Sequence, residues 1–396
     1  MLETSEKWEV VPLVEVLDFR EGPGIMARDF RESGVSLVRL AGLRQRGALL
    51  VGCNYLDPEM VSKRWDHFRL KEGDVLLSTS ASLGEVAVVD SKGAGAIAYT
   101  GIIGFRPKNA RILPEFIPFA LAAPSFARQI EAMGAGSVLR HFGPLHLRQM
   151  TLQIPPVTEQ RAIADVLGAL DDKIEANQQA IQVEEELATR LVDQAPIQLP
   201  LSEFAAVQRT SINPALSGTT LVDHFSLPAF DQGRLPLRQA GVEIKSGKLR
   251  IDNVSVLVSR LNPHIPRVWY AVPEPGVLAL ASTEFVMMTP TNNVSAEEVW
   301  ACCNTSGFIT TLAESVTGTT GSHQRVQASD VLSMEVGDPR SISDVQRTVI
   351  QAMVQSAYLL RKESVLLAKI RDTLLPKLLG GSLRINDAET LLENMA

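Results

Sequence analysis

The feature that most constrains the fold is a long amphipathic stretch near the middle of the chain, residues 154–194. A proline pair at residues 155–156 ends the segment before it, and Thr158 is placed to cap a helix. About 36 helical residues would form a rod on the order of 50 Å long, which is typical of a spacer or coiled coil. We expect one partner helix, because Asn177 and Glu184 interrupt the apolar face. That face has helical spacing and comprises Ile163, Leu167, Leu170, Ile174, Ile181, Ala188 and Leu191.

A second stretch, residues 341–385, repeats this pattern. Ser343 and Gln346 form the signature of a capping box. Residues 158–193 carry nine acids and three bases, net −6, whereas residues 343–378 carry six bases and three acids, net +3. Opposite charges favour pairing of these two helices with each other over self-pairing of the first. The predicted apolar face of the second helix comprises Val349, Ala352, Ser356, Leu359, Leu366 and Ile370.

The segments that precede the two helices also resemble each other. Residues 12–16 match residues 200–204 at an offset of 188. Residues 136–141 line up with residues 318–323 at an offset of 182, and Ile154 lines up with Val336 at the same offset. This order of globular segment, helix, globular segment and helix predicts a tandem duplication.

Short β-type runs between Gly and Pro turns predict an α+β domain that is used twice. In the second segment, residues 297–312 are predicted to be a helix capped by Ser295. A helical region broken by prolines is expected at residues 113–133. Strands are predicted at residues 70–78, 85–90, 96–105, 254–261, 270–272 and 277–280.

The composition is typical of two or three globular domains, because 45% of the 396 residues are hydrophobic. The polar N-terminus does not resemble a signal peptide, and no apolar run reaches the roughly 18 residues of a membrane span. Three cysteines, Cys53, Cys302 and Cys303, form no metal or disulfide pattern. We therefore expect a cytoplasmic protein.

The net charge of −7 argues against a nucleic-acid partner, but the distribution of charge does not. Residues 28–71 carry nine bases against five acids, and residues 234–267 carry seven against two. Local patches rather than total charge determine the attraction of phosphate. Scattered surface lysine and arginine on two ordinary domains would give the same counts.

No catalytic motif is present in the sequence. It contains no phosphate-binding loop, no dinucleotide fingerprint and no Asn-Pro-Pro-aromatic stretch of an amino-methyltransferase. The six histidines lie far apart without the spacing of metal ligands. Ser137 and His141 lack the nucleophile elbow that would support a hydrolase. The sequence therefore indicates a binding protein without a catalytic or metal site.

Several motifs carry a family resemblance. The run Ile154–Ile163, continued by Leu170–Asn177, resembles the central conserved region of the specificity subunit of type I restriction–modification enzymes. Arg371–Gly381 resembles the distal conserved region of such subunits. Val256–Trp269 and Gly318–Arg325 resemble one type of target recognition domain in that family.

The resemblance implies two pseudo-repeated α/β target recognition domains separated by a pair of long antiparallel coiled-coil helices. On this pattern residues 1–157 are the first target recognition domain and 158–194 the central conserved helix. Residues 195–340 are the second target recognition domain, and 341–396 the distal conserved helix and C-terminal tail. The distal repeat departs from the family pattern at residues 339–346, which replace the proline-pair element and bear on docking of a second modification subunit.

The resemblance also implies a function. Each domain would read one half of a bipartite site in double-stranded DNA. The helices would dock two modification (methyltransferase) subunits, and restriction (translocase/endonuclease) subunits would join them. The specificity subunit itself would be non-catalytic and hold no cofactor, with S-adenosylmethionine, ATP and magnesium expected on the partner subunits. The alternatives are a protein scaffold with degenerate domains, or a specificity module of another methylation-based phage-defence complex.

Each domain must supply contacts that position the DNA backbone and contacts that read base edges. Arg325 and Gln324 are the better base-reading candidates, since Arg can be bidentate to guanine and Gln to adenine. For His141 and His323, capping of a turn is the simpler role. The predicted loop contacts are Gly136, Ser137, Arg140, His141, Thr319, Thr320, Ser322, His323, Gln324 and Arg325. The predicted phosphate contacts are Arg39, Arg44, Arg46, Arg260 and Arg267, for which a solvated or ion-paired arginine is the alternative. The predicted partner-binding residues are Ile163, Leu167, Leu170, Ile174, Val349, Leu359, Leu366 and Ile370.

Overall fold

The structure, a computed structural model, describes residues 8–44, 47–133, 142–315, 324–385 and 387–388. The chain forms two compact units. Unit 1 comprises residues 1–175 and 367–396, and unit 2 comprises residues 176–366. Each of the two long helices therefore contributes one part to unit 1 and the other part to unit 2.

Unit 1 is built from short strands and helices that precede the first long helix. In chain order they are β1 (Glu9–Pro12), α1 (Leu13–Val16), β2 (Leu17–Glu21), β3 (Phe30–Arg31), β4 (Val35–Val38), α2 (Leu40–Leu43), β5 (Asn54–Leu56), α3 (Pro58–Met60), β6 (Val75–Ser78), β7 (Val86–Val88), β8 (Ile97–Ala98), β9 (Ile102–Pro107), α4 (Ile117–Ala122), α5 (Pro124–Met133), α6 (Pro144–Leu147), β10 (Thr151–Ile154) and the long helix α7 (Val157–Asp193).

Unit 2 has a similar composition of elements before the second long helix. In chain order they are β11 (Gln198–Pro200), β12 (Ala205–Val207), β13 (Ser211–Ile212), β14 (Leu221–Phe225), α8 (Leu227–Gly233), β15 (Leu237–Ala240), β16 (Lys248–Ile251), β17 (Ser255–Ser259), β18 (Val268–Ala271), β19 (Ala279–Ser282), β20 (Phe285–Pro290), α9 (Ala296–Cys302), α10 (Ser306–Glu314), α11 (Ala328–Ser333), β21 (Glu335–Gly337) and the long helix α12 (Asp344–Leu379).

The main sheets of the two units have the same topology. In unit 1 the strand order is β2-β9-β6-β7, and in unit 2 it is β12-β20-β17-β18, with antiparallel pairing throughout. The inner strands β6 and β17 are buried along their whole length, which agrees with their continuous apolar runs. A second sheet in each unit, β3-β5-β4-β8 and β13-β16-β19-β14-β15, contains one parallel pair. The predicted duplication of an α+β domain is therefore present in the fold.

The first and last strands of each repeat pair with each other, and their pairing shows which residues of the two repeats correspond. Pro12 lies opposite Thr151, and Pro200 lies opposite Glu335. Consistent with this, the backbone amide of Leu13 donates to Met150 at 2.9 Å, and that of Leu201 donates to Met334 at 3.0 Å. The offset of 188 at the opening is confirmed. At the closing strands the offset is 184, and the predicted value of 182 is wrong by two residues.

Each unit has its own apolar core. The core of unit 1 includes Phe105, Phe116, Phe126 and Phe142, and it is completed by residues of both long helices. Those helix residues are Ile163, Leu167 and Leu170 of α7 and Leu374, Leu378 and Leu379 of α12. The main core of unit 2 likewise includes Val192 of α7 together with Ile350 and Val354 of α12. The long helices are therefore structural parts of both cores.

The helices α7 and α12 pack together as an antiparallel pair. In unit 2, Asn177 donates to Glu363 at 2.7 Å, and Ser356 donates to Glu184 at 2.9 Å. A later residue of α7 thus contacts an earlier residue of α12, so the two helices are antiparallel. Asn177 is only 2% exposed. Asn177 and Glu184 are thus hydrogen-bonded members of the interface rather than interruptions of it. Within unit 1, Arg371 pairs with Asp171 at 2.7 Å.

The predicted apolar face is correct for α7 and partly wrong for α12. Ile163, Leu167, Leu170 and Ile174 are all buried, and Val349 and Ile370 are half-buried. Leu359 and Leu366, in contrast, are 61% and 52% exposed. The buried face of α12 instead contains Ile350, Val354, Ala357, Leu374 and Leu378. The apolar count placed Leu359 and Leu366 in the interface because it ignored polar residues that belong to it.

Local signals predicted the starts of two helices correctly, but they missed two breaks within predicted elements. The capping box of α12 is confirmed, since the Ser343 hydroxyl accepts from the Gln346 amide and the Ser343 amide donates to the Gln346 side chain. Ser295 caps α9 as predicted. The predicted helix 297–312 is two helices, because Thr305 caps a second one. The predicted strand 96–105 is likewise two strands, since Gly101 (φ +83°) forms a turn between them.

No described helix is long and apolar enough to span a membrane. No group of three or more His, Cys, Asp and Glu side chains in the described part of the chain is placed to hold a metal ion.

Candidate nucleic-acid interface

In unit 2, residues 324–326 add to one end of the main sheet. The amide of Arg260, just after β17, donates to the carbonyl of Glu284, just before β20, at 2.8 Å. The carbonyl of Arg260 in turn accepts from the amide of Val326 at 3.1 Å. Leu261 and Arg325 form an antiparallel bridge next to these bonds. The backbone of Arg325 is therefore fixed against the end of the sheet.

The same backbone arrangement occurs in unit 1. The amide of Thr79, just after β6, donates to Gly101 at 2.8 Å, and the carbonyl of Thr79 accepts from Phe142 at 3.1 Å. We call Thr79, Gly101 and Phe142 in unit 1, and Arg260, Glu284 and Val326 in unit 2, the loop frame of each unit. The two frames repeat the backbone geometry with different side chains.

The loop frames bear on how the two predicted recognition loops align. Phe142 and Val326 differ by 184 residues, the same offset as the closing strands. Carried one residue back along the chain, this offset would align His141 with Arg325. The predicted alignment of His141 with His323 lies outside the described residues and stays a prediction. Most predicted loop contacts, together with one phosphate contact, lie outside the described residues: Arg46, Gly136, Ser137, Arg140, His141, Thr319, Thr320, Ser322 and His323.

Arg325 and Gln324 are described, and both lie at the loop frame of unit 2. The Arg325 guanidinium donates through Nε and Nη2 to the two carboxylate oxygens of Glu284, at 3.1 and 2.7 Å. The pair is partly open to solvent, with 44% and 30% of the two side chains exposed. The hydrogen bond to Glu284 raises the pKa of Arg325 above its ordinary value. The carbonyl of Gln324 accepts from the Asn262 amide at 3.1 Å.

The two predicted phosphate contacts of unit 2 both have partners within the unit. Arg260 donates through Nε to the carbonyl of Val326 and through Nη2 to the side chain of Gln327, both at 3.2 Å. Its side chain therefore supports the end of the loop. Arg267 forms a bidentate ion pair with Asp231 at 2.7 and 2.9 Å, and only 12% of its side chain is exposed. Their contact with phosphate stays a prediction.

In unit 1, Arg39 and Arg44 lie in different surroundings. The Arg39 guanidinium stacks 4.1 Å from the ring centroid of Tyr99 and donates to Asn54 at 3.2 Å. Arg44 donates to the hydroxyl of Ser82, in the loop that follows Thr79 of the frame. Arg44 therefore contacts the loop that follows Thr79, although it lies 38 positions before Ser82 in the chain, whereas Arg39 is held by an aromatic ring. Their contact with phosphate also stays a prediction.

Glu284, the carboxylate partner of Arg325, was not predicted from the sequence. The two residues are 41 positions apart, so no local pattern joins them. One signal was available, because Glu284 immediately precedes β20 as Gly101 immediately precedes β9. An alignment of the two repeats anchored on these strands would have placed an acidic residue at the loop frame of unit 2 alone.

Two units of the same sheet order, each with a loop frame and a share of two paired helices, define a tandem-repeat protein of the α+β class. Residues 5–185 match the family described as "Type I restriction modification DNA specificity domain". The chain thus carries a type I restriction–modification DNA specificity domain, and the resemblance stated for residues 154–177 is confirmed.

Individual relatives agree with this assignment. The chain is 24% identical over 177 residues to the type I restriction enzyme MjaVIII specificity subunit of Methanocaldococcus jannaschii. That match covers 44% of this chain and 41% of the relative, so it spans about two fifths of the relative's length. The crystal structure of the type I restriction–modification system S subunit from M. genitalium is 15% identical, with a TM-score of 0.56. It covers 96% of this chain and 97% of its own, which extends the likeness in fold to the whole chain.

Proposed function

We propose that this chain is the sequence-specific DNA-binding specificity subunit of a type I restriction–modification complex, in which each unit reads one half of a bipartite site. The observation that supports the proposal best is the repeated loop frame. It offers two similar positions from which a loop can contact DNA, at the same end of the main sheet in each unit. A fold alone does not determine function, so the assignment of DNA depends on these sites and on the family.

The side chains of the two frames predict two different half-sites. Base edges are read by side chains, whereas backbone groups and phosphate contacts set the register. Thr79, Gly101 and Phe142 occupy unit 1 where Arg260, Glu284 and Val326 occupy unit 2. Because these side chains differ in size and charge, we expect an asymmetric site rather than an inverted repeat.

The long helices are the proposed docking surface for two modification (methyltransferase) subunits. Leu359 and Leu366, which do not lie in the helix interface, are exposed on α12, and Val183 and Leu187 are 55% and 41% exposed on α7. A contiguous exposed apolar patch marks a protein-binding surface, and we propose that these four side chains contribute to one. S-adenosylmethionine, ATP and magnesium would be held by the modification and restriction subunits rather than by this chain.

Co-purification followed by methylation mapping tests the proposal. A tagged full-length chain expressed with the methyltransferase encoded beside it should co-purify with that enzyme, and host DNA should carry adenine methylation at one bipartite motif. Deleting this chain should abolish the methylation. A complex that forms without any sequence-specific methylation would contradict the proposal and favour a scaffold.

The isolated chain provides a second test. It should neither bind S-adenosylmethionine in calorimetry nor transfer a labelled methyl group to DNA, because its sequence has no motif for this chemistry. Methyl transfer by the chain free of contaminating enzyme would contradict a purely recognising role.

A further inference from the structure

Building on the proposed function, we infer that Glu284 is a specificity-determining positioning residue. Its carboxylate orients Arg325 to read a base edge in the half-site of unit 2, rather than to neutralise a phosphate. If DNA recognition itself were absent, this inference would fall with it.

Both ends of the ion pair are anchored to the same sheet end. The backbone of Glu284 accepts from the Arg260 amide, and Arg325 bridges Leu261. The neighbours of Arg325 are also fixed, because Gln324 accepts from Asn262 and Val326 donates to Arg260. The relative position of the two side chains is therefore set by the fold, and they need little reordering to reach DNA together.

The contact between them fixes the plane of the guanidinium. Arginine presents five N–H donors in a rigid planar fork, and Glu284 accepts from two of them, on Nε and Nη2. Bidentate recognition of a base requires the fork to lie in the plane of the base pair. A carboxylate that holds two donors determines that plane before DNA binds, which favours the correct base over the others.

The charge of Glu284 has a second effect on selectivity. At 2.7 Å the carboxylate balances most of the charge of Arg325, so the pair contributes little net attraction for phosphate. An acidic group near the DNA also repels phosphates that approach in the wrong register. Both effects lower the affinity for non-specific DNA, so the affinity for the specific site depends more strongly on a correct base contact.

Unit 1 has no side chain at this position. Gly101 occupies it with φ +83°, and an added Cβ would lie 2.3 Å from the Ser80 hydroxyl. A glutamate could not be accommodated there without movement. The half-site read by unit 1 therefore serves as an internal control for any change at Glu284.

The test is a selection of bound duplexes from a random DNA library by the full-length chain. The wild type should enrich one bipartite motif. The Glu284→Gln variant should still select the half-site of unit 1. In the half-site of unit 2, its preference for the correct base at one base pair should fall about tenfold. On DNA of fixed sequence, loss of the carboxylate charge beside Arg325 should steepen the salt dependence of log K by about 0.9.

A matched control is available in the same unit. Asp252 pairs with Arg250 at 2.7 Å, and the two side chains are 52% and 50% exposed. Asp252→Asn removes a comparable ion pair away from the loop frame and should leave the selected motif unchanged. In an Arg325→Ala background, Glu284→Gln should cause no further loss, because its effect acts through the arginine.

The possible outcomes separate the two claims. A wild-type chain that selects no bipartite motif would overturn the proposed function and this inference with it. If the wild type selects a bipartite motif and the Glu284→Gln variant shows the same motif and the same salt dependence, only the inference is overturned. Equal losses in both half-sites, or additive effects with Arg325→Ala, would likewise overturn it, because they indicate a general structural role.

Discussion

A buried ion pair between the long helices offers a sharp test of how they are held in unit 2. Glu185 of α7 accepts from Arg361 of α12 at 2.5 Å and lies 3.1 Å from Arg234. The side chains of Glu185 and Arg361 are only 19% and 17% exposed. Burial lowers the pKa of Arg361 from its ordinary value, although Glu185 opposes this effect. We therefore expect removal of the carboxylate to be costly.

The expected magnitude follows from burial. Breaking a buried pair by removing one partner typically costs about 3–5 kcal/mol, because a charge is left in a poorly solvated place. Arg234 is 40% exposed and water reaches part of the site, so Glu185→Ala should cost about 3 kcal/mol. The next residue is the control. Glu186 pairs with Arg190, but their side chains are 54% and 67% exposed, so Glu186→Ala should cost about 0.3 kcal/mol.

Hydrogen–deuterium exchange on the full chain measures this difference locally. A loss of about 3 kcal/mol should raise the exchange of protected amides in residues 176–193 and 344–366 more than a hundredfold. The Glu186→Ala variant should exchange at nearly the wild-type rate. Equal protection in the two variants would refute the idea that Glu185 is a buried clamp between the helices.

Three further predictions concern the site, pH and assembly. Arg325→Ala should lower discrimination at one position of one half-site by about 1–3 kcal/mol, and unchanged affinity and specificity would remove Arg325 from the site. Burial and Lys248 lower the pKa of His224 from 6.5 to about 4, so unit 2 should lose stability as the pH falls from 6.5 towards 4. In urea unfolding between pH 6.5 and 4, the midpoint of the His224→Gln variant should fall less with decreasing pH than that of the wild type. The same pH dependence in both proteins would disprove the role of His224. A chain that ends at Gln194 lacks the part of α12 that completes the core of unit 1, so it should self-associate; a stable monomer with full DNA specificity would contradict this.

The long helices could be predicted because their signals are local and repeated. The apolar spacing of α7 and the capping box of α12 each lie within a few turns of chain, and both were correct. The packed face of α12 was harder, because Glu363 and Arg361 contribute to it through partners on α7. A count of apolar residues cannot recognise a polar residue whose partner lies more than 170 positions away.

The candidate site shows the same limit. Arg325 could be singled out because it follows a glycine-containing loop, but the role of Glu284 depends on the pairing of β17 with β20. Arg267 was predicted as a phosphate contact because it lies in a basic window, and its ion pair with Asp231, 36 positions away, could not be predicted from that window. The charge within one window of sequence therefore cannot show which side chains already have partners elsewhere in the unit.

The most direct test of bipartite reading is to lengthen both long helices. Each passes between the units, α7 after Glu175 and α12 after Leu366. Seven added residues in each helix preserve the phase of the interface and add about 10 Å. At about 3.4 Å per base pair, this corresponds to about three base pairs. An insertion in α7 alone would mismatch the helices and serves as the control.

The measurement is sequencing of the methylated sites produced by the lengthened chain with its methyltransferase. The half-sites should stay the same, because the loop frames that support their recognition are untouched. The duplex also turns by roughly 100° over three base pairs, at 10–10.5 base pairs per turn, so the gap should grow by about two to four base pairs with some loss of activity. An active complex with an unchanged gap would contradict the view that the two units read separate halves of the site at a distance set by these helices.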